Sequence, residues 1–509
     1  MELSELLTGL TYEVLKGTVE RKIRKVTNDT ENIGERDVFV CIKGYCRDGH
    51  DFVGKALERG ATALVIQSEE CYERWIRCED FLPDSRNVTI IRVSDTRYAL
   101  ALMSAAFYGY PARKMKVIGI TGTKGKTTTA CMVQQLLNYG GHKTGLIGTV
   151  RVDTGRRILS SYNTTPESCQ IQAYLHEMVV AGCDSVVMEV SSQGLKLKRT
   201  AGIRFEVGIF TNLGRDHIGT SEHADFEEYL QCKHLLFLQS KVGIGNADDP
   251  WYEEIFEGTE CEKITYGCGG GCVQMDYHAL DIRKICRRDC FGIRYRLGMA
   301  DGKRQAEEIE IELPLPGHFN VYNSMAAAAA VRYLGVENET IREGLKKIRI
   351  PGRMELAAAW RDGMVFVDYA HNAMSLKSIL QMLREYADGR IVVVFGCGGN
   401  RSKERRYEMG EVAGRYADFT VITTDNPRYE EPGEIIKDIL TGMKRTNGAY
   451  VVVEDRREAV RYAIENRKSG DVIIIAGKGH ETYQEIQGIR YEMDDRKLVK
   501  EITCTQILS

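Results

Sequence analysis

The chain has 509 residues, 69 basic and 72 acidic, a net charge of −3. So even a balance argues against a dedicated nucleic-acid binder, which carries a basic surplus. A content of 43% hydrophobic and 28% charged residues excludes disorder, and no apolar run reaches membrane-spanning length, so no membrane insertion is expected.

The N-terminus, Met1 to Glu5, is acidic where a signal peptide would be basic, which points to the cytoplasm. At about 100–200 residues per domain the length asks for three or four domains. In the first, residues 38–42 and 63–66 are short, β-branched and apolar, the pattern of buried strands. Arg47 to Asp51 reads as a polar turn, and Tyr110-Pro111 marks a boundary.

A strand at 116–120 then runs into Thr121-Gly122-Thr123-Lys124-Gly125-Lys126-Thr127-Thr128, and a helix follows to Tyr139, stopped by Gly140-Gly141. Strand, glycine loop and helix together form a phosphate cradle. The glycines let the backbone approach, the new helix offers free N–H groups, and Lys126 adds a charge. Thr127 or Thr128 can hold Mg²⁺. Ile120 breaks the strict spacing of the phosphate-loop motif. Such a loop implies ATP or GTP but not a reaction.

Strands at 185–190 and 207–211 alternate with helices, which implies a parallel sheet. Glu189 ends the first of them, where open α/β sheets bind ligands; its bland reading is a capping carboxylate. The spacing predicts a helix over 225–238 with Phe226, Tyr229, Leu230 and Phe237 as its apolar stripe. Lys233 falls inside that stripe and alone reads as a snorkelling lysine. Residues 258–312 are rich in Gly, Cys and β-formers and predict antiparallel strands, followed by an alanine-rich helix at 325–334. The 15 cysteines of the chain read as free thiols of a reducing compartment. Cys268, Cys272, Cys286 and Cys290 leave a zinc site open, although their three-residue gaps are unusual for one. From Pro351-Gly352 a third unit begins, with strands at 391–395, 419–423, 450–453 and 472–476 in a doubly wound pattern.

The phosphate loop resembles that of the Mur ligase family, with Lys124 where Asn is usual. Further motifs follow in family order: Asn163-Thr164-Thr165-Pro166, Met188-Glu189-Val190-Ser191-Ser192 and Asn212-Leu213-Gly214-Arg215-Asp216-His217, then Gly317-His318-Phe319-Asn320-Val321-Tyr322-Asn323, Pro351-Gly352-Arg353-Met354-Glu355 and Asp368-Tyr369-Ala370-His371-Asn372. Asp425-Asn426-Pro427-Arg428 with Gly477-Lys478-Gly479-His480-Glu481 resembles the branch that adds diaminopimelate as the third residue of the peptidoglycan stem peptide.

The resemblance implies an α/β protein of three domains. These are a mixed UDP-substrate domain at 1–112, a central ATPase domain with a parallel sheet at 113–350, and a Rossmann-like ligase domain at 351–509. It implies an ATP-dependent amide ligase that joins meso-diaminopimelate to UDP-MurNAc-L-Ala-D-Glu through an acyl phosphate, with closure on binding. ATP would be held by Gly122, Thr123, Gly125, Lys126, Thr127 and Thr128, with Asn323, Arg353 and Asp368. Mg²⁺ would be held by Thr127, Glu189, His217 and a carbamylated Lys233, and Lys126, Glu189, Lys233 and His217 would be catalytic. The UDP substrate would meet Thr30, Asn163, Thr164, Thr165, Ser191 and Arg199. The diamino acid would meet Arg401, Asp425, Asn426, Arg428, Gly477 and Glu481, the arginines gripping carboxylate and Glu481 an ammonium. The run from Arg401 to Arg406 also reads as a solvated charged face. A monomer is expected.

Thr27-Asn28-Asp29-Thr30-Glu31 stands where Asp-Ser-Arg is usual in the family, and Leu197 and Gln193 replace common polar and His residues. These departures fall on the UDP substrate. They leave open a related ligase with another amino acid, such as lysine, or another acceptor. A nucleotide-responsive scaffold without turnover stays open too.

Overall fold

The computed structural model describes residues 1–44, 47–68, 70, 73, 88–161, 163–215, 219, 222–269, 275–287, 290–301, 304–360 and 363–507. They form two compact units, Met1–His278 with Met325–Ile341, and Ala279–Ser324 with Arg342–Ser509.

The first unit begins with a sheet in the order Tyr12–Lys16, Thr89–Val93, Ala61–Ile66, Asp37–Val40, Lys25–Thr27. All neighbours are parallel except the antiparallel edge strand Tyr12–Lys16. Side chains alternate between faces at period two. Val38, Val40, Ala63, Val65 and Ile91 pack on Ala99, Leu100 and Met103 of helix Thr96–Phe107. Phe39, Leu64, Ile66 and Ile90 face Val53 and Ala56 on the other side. Burial of both faces explains why these strands read as continuous apolar runs.

The same unit holds a second, mainly parallel sheet. Strand Lys116–Thr121 lies between Ser185–Glu189 and Phe205–Phe210, and Glu262–Gly267 and Ser240–Asn246 extend it on one side. The register sets Glu189 opposite Ile120 and Phe210 opposite Thr121, so three strand tips meet where the glycine loop starts. The expectation of antiparallel strands over 258–312 is corrected in part. Strand Glu262–Gly267 continues the parallel sheet, because its register follows strand Ser240–Asn246; the antiparallel ladder is Cys290–Asp301 with Arg304–Leu313. The alanine-rich helix spans His318–Tyr333 and so starts earlier than expected. Asn320 and Asn323 form a pair inside its first turns, with Asn323 Nδ2 donating to Asn320 Oδ1 at 3.0 Å.

The second unit carries the sheet Glu355–Trp360, Gly363–Asp368, Asp471–Ala476, Ile391–Phe395, Phe419–Ile422, Tyr450–Val452. Only the Glu355–Trp360 edge is antiparallel. One face packs Phe366, Val393, Phe395 and Ile474 against helices Ala373–Arg384, Lys403–Tyr416 and Pro432–Met443. The other packs Val392, Val394, Ile473 and Ile475 against Arg456–Glu465 and Asp495–Ile507. Among the described residues no helix is long and apolar enough to cross a membrane.

Candidate active site

The glycine loop closes as its residues require. Gly122 has φ +146°, and a Cβ there would lie 1.9 Å from Thr211 Oγ1, so neither backbone nor space admits a side chain. Gly125 caps helix Lys126–Tyr139, which leaves the first N–H groups of that helix unclaimed by any side-chain cap. Asn212 and Thr211 hold the loop from below: Thr123 N donates to Asn212 O at 2.8 Å, and Thr211 Oγ1 to Lys124 O at 2.7 Å. Lys126 Nζ folds over the loop onto Gly122 O (2.6 Å) and Thr123 O (3.0 Å). Thr128 sits half-buried in the first helical turn.

Thr127 and Glu189 come together as the strand register requires. Thr127 Oγ1 donates to Glu189 Oε2 at 2.8 Å. The carboxylate also accepts from Thr149, at 2.7 Å from its N–H to Oε1 and 3.1 Å from its hydroxyl to Oε2. Glu189 is therefore not a helix cap but a buried oxygen donor facing the loop hydroxyl. Thr149, which sequence reasoning did not single out, also meets Thr164 at 3.0 Å. Nothing near Thr149 in the sequence marks it.

Lys233 is 1% exposed, on helix Phe226–Leu238. It does not snorkel. Its ammonium donates to Gly122 O at 3.0 Å and lies 4.3 Å from the Tyr229 ring centre, so it reaches the phosphate loop from beneath. His217 lies outside the described residues.

A cleft of about 510 Å³ in the same unit is lined by Thr30, Glu31, Gln193, Leu197 and Arg199, among others. Four positions that differ from the residues usual in the resembled family thus line one cleft with Arg199, and Thr30 and Arg199 are both predicted substrate contacts. Arg47, Lys55 and Arg97 add positive charge there. Lys55 and Arg59 bond Glu31 and hold its carboxyl below the usual range. Arg199 donates to Thr165 O at 2.9 Å and pairs with Glu167. The Thr165 hydroxyl lies 3.0 Å from Glu189 O and accepts from Ser191 N at 2.9 Å. Arg199, Thr165, Ser191 and Glu189 are one connected network from this cleft to the loop. Asn163 is exposed, and its carbonyl accepts from Ser161 Oγ at 2.9 Å.

In the second unit the candidate site residues sit at the C-terminal edge of the sheet. Asp368 accepts from Met354 N (2.7 Å) and Ala370 N (2.8 Å). Burial pushes its carboxyl up against the opposing pull of Arg353. The Arg353 guanidinium lies 4.9 Å from the Tyr369 ring centre. Asn426 Nδ2 donates to Glu481 Oε2 at 2.8 Å, although 55 residues separate them. Arg428 NH1 donates to Gly399 O at 2.6 Å, and its backbone bonds both ways to the hairpin Tyr483–Glu492, at Glu485 O and Gln487 N. A Cβ on Gly477 would sit 2.6 Å from Asp425 Oδ2, so glycine lets these two turns meet. The Arg401 side chain is exposed.

The reading of Arg401 to Arg406 as a solvated face is corrected at its end. Arg406 is 1% exposed and bonds Asp438 (3.0 Å) and Glu430 (2.8 Å) across two helices. Arg456 is likewise buried, paired with Asp495 through both carboxylate oxygens (3.0 and 2.8 Å). Charge runs in sequence conceal such residues, because their partners lie far along the chain. Of the cysteines weighed for zinc, Cys272 lies outside the described residues. Among the described residues no group of three or more His, Cys, Asp and Glu could hold a metal.

A parallel sheet with a glycine loop at its central strand tip, and a carboxylate at the neighbouring tip, defines a nucleotide-using α/β enzyme. Residues 22–108 match the description "Mur ligase family, catalytic domain", residues 120–331 "Mur ligase middle domain", and residues 352–479 "Mur ligase, glutamate ligase domain". A protein of Clostridium acetobutylicum called UDP-N-acetylmuramoyl-L-alanyl-D-glutamate–2,6-diaminopimelate ligase 1 is 40% identical over 504 residues, 98% of this chain and 99% of its own. A ligase of the same designation, without the numeral, from Caldanaerobacter subterraneus subsp. tengcongensis is 39% identical, over 99% of each chain. A solved structure of a UDP-N-acetylmuramoyl-L-alanyl-D-glutamate–2,6-diaminopimelate ligase superposes with TM-score 0.68 at 27% identity, covering 100% of this chain and 99% of that one. The chain belongs to the Mur ligase family.

Proposed function

We propose that this protein is an ATP-dependent amide ligase of peptidoglycan precursor synthesis, joining diaminopimelate to UDP-MurNAc-L-Ala-D-Glu. The observation that carries the amino-acid end is the gathering of Asn426, Arg428 and Glu481 at one sheet edge from segments far apart in sequence. The related ligases are 38–40% identical over nearly their whole length, and their names support the same substrates.

In the proposed reaction the substrate carboxylate attacks the γ-phosphate of ATP, expelling ADP and leaving an acyl phosphate, and the amine then displaces phosphate and loses a proton to give the amide. Phosphoryl transfer needs charge neutralisation more than covalent help. Lys126 supplies it by leaving the Gly122 and Thr123 carbonyls for phosphate oxygens. The N–H groups at the start of helix Lys126–Tyr139 add the loop's fixed donors. Thr127 and Glu189 form an all-oxygen donor pair that suits Mg²⁺, and these two residues would hold it. The ion would shield phosphate charge. A carbamate on Lys233 would turn this buried cation into an anion beside the loop, and with His217 it completes the proposed ligand set. Asn323, Arg353 and Asp368 are proposed for the nucleotide. The cleft around Thr30, Arg47, Arg97 and Arg199 is proposed for the UDP-sugar, with Thr164, Thr165 and Ser191 leading toward the loop.

The proposed division is three domains, with breaks near residues 112 and 350, and the proposed compartment is the cytoplasm. In keeping with a reducing compartment, the buried Cys183, Cys232 and Cys397 are free thiols.

Incubation with ATP, Mg²⁺, UDP-MurNAc-L-Ala-D-Glu and single amino acids, read by product mass, tests the reading. A diaminopimelate adduct is expected. An adduct with lysine alone, or none with any amino acid, would overturn the assignment.

A further inference from the structure

Lys478 is a buried cation beside Asn426 and Glu481 that the proposed chemistry leaves unused. Its side chain is fully buried, two residues past strand Asp471–Ala476. An ammonium out of water needs partners, and Lys478 has specific ones. Nζ donates to Glu481 Oε2 at 2.9 Å and to Asn426 Oδ1 at 3.1 Å. Asn426 Nδ2 donates to the same Glu481 Oε2 at 2.8 Å, and Glu485 N donates to Asn426 Oδ1 at 2.9 Å. These bonds fix the Asn426 amide orientation, since one end takes only donors and the other only an acceptor. They also occupy one oxygen of Glu481. The other, Oε1, makes no hydrogen bond among the described residues, and the side chain is 17% exposed.

We propose that Lys478 is a positioning residue for amine recognition. It clamps Glu481 Oε2 and Asn426 Oδ1, so that Glu481 Oε1 alone is presented to an ammonium of the incoming amino acid. It also neutralises Glu481 within the protein, so the pocket selects an ammonium by a directed hydrogen bond and not by bulk negative charge. This rests on the reading of the site as a diamino-acid pocket. Lys478 itself touches no substrate; it acts through Glu481.

The test is a double-mutant cycle on the full chain, with steady-state kinetics for all three substrates. Lys478→Met should raise KM for diaminopimelate about tenfold or more, as expected when one member of a buried charged pair is removed. KM for ATP and for the UDP-substrate should stay within about twofold. Lys478→Arg should restore part of the loss. In the Glu481→Gln background, Lys478→Met should add nothing further to the diaminopimelate KM; this neutral pair also guards against misfolding of the single variant, because no lone buried charge remains. Unchanged KM in Lys478→Met, an equal rise for all three substrates, or additive effects of the two substitutions would overturn the proposal. If the unaltered protein does not use diaminopimelate, the parent reading fails instead, which separates the two.

Discussion

The Arg456–Asp495 pair offers the sharpest energetic test. Arg456 begins helix Arg456–Glu465 and Asp495 begins helix Asp495–Ile507, and both side chains are at most 1% exposed. Besides the two bonds to Asp495, the guanidinium donates to Ala476 O at 3.1 Å and Thr424 O at 3.4 Å. Those carbonyls immediately precede Gly477 and Asp425, so one side chain ties both halves of the proposed amino-acid pocket. Arg456→Met leaves Asp495 charged, buried and unpaired, which costs about 3–5 kcal/mol. Arg456→Met with Asp495→Leu removes both charges and should recover all but about 1–2 kcal/mol. A single global unfolding energy is ill-defined for a multidomain chain, so hydrogen exchange read by mass spectrometry is the assay. Peptides over 419–428 and 471–481 should exchange about 100-fold faster or more in the single variant. Helix Lys126–Tyr139 serves as internal control. Unchanged exchange in the single variant, or a double variant as labile as the single, would refute the reasoning.

Gly122→Ala should abolish tight nucleotide binding in calorimetry while circular dichroism stays native, since its Cβ meets Thr211 Oγ1 in a backbone region that disfavours side chains; retained affinity would contradict the loop geometry. Lys126→Ala should cut product formation about 100-fold or more while the UDP-substrate still binds; near-normal turnover would remove Lys126 from the chemistry. Burial lowers the His480 imidazole to about 3, against about 6.5 unfolded. The unfolded chain therefore binds more protons between those values, so this stability is present above pH 6.5 and lost as pH falls toward 3. Exchange of a 477–482 peptide should show that acid sensitivity in the native sequence and less of it in His480→Gln. Equal pH dependence in the two would refute it.

The phosphate loop was legible because its chemistry is local: a strand, three glycines, a lysine and a helix lie within 25 residues, from Lys116 to Tyr139. Glu189 was legible as a strand tip. That it meets Thr127 followed from the family resemblance and not from any local pattern, because only the parallel register Glu189–Ile120 brings them together. The helix bearing Lys233 followed from its stripe, but the snorkelling reading did not survive; burial turned the ammonium onto Gly122 O. The hairpin Tyr483–Glu492, which holds the Arg428 backbone, is marked in the sequence by nothing beyond the short Gln487-Gly488 turn.

Composition and periodicity thus determined the class, the parallel sheets and the nucleotide loop, since these depend on neighbours along the chain. The charged clusters were decided by the tertiary fold alone. Arg406, Arg456 and Lys478 look like ordinary surface charges in sequence, yet each is buried against carboxylates. A charge is stable in the interior only when a partner is delivered to it, and for Arg406 and Arg456 that partner arrives from 24 to 39 residues away. For Lys478 the carboxylate is nearby, but the Asn426 amide that completes the clamp lies 52 residues distant. No local pattern encodes such a meeting; the sheet register creates it.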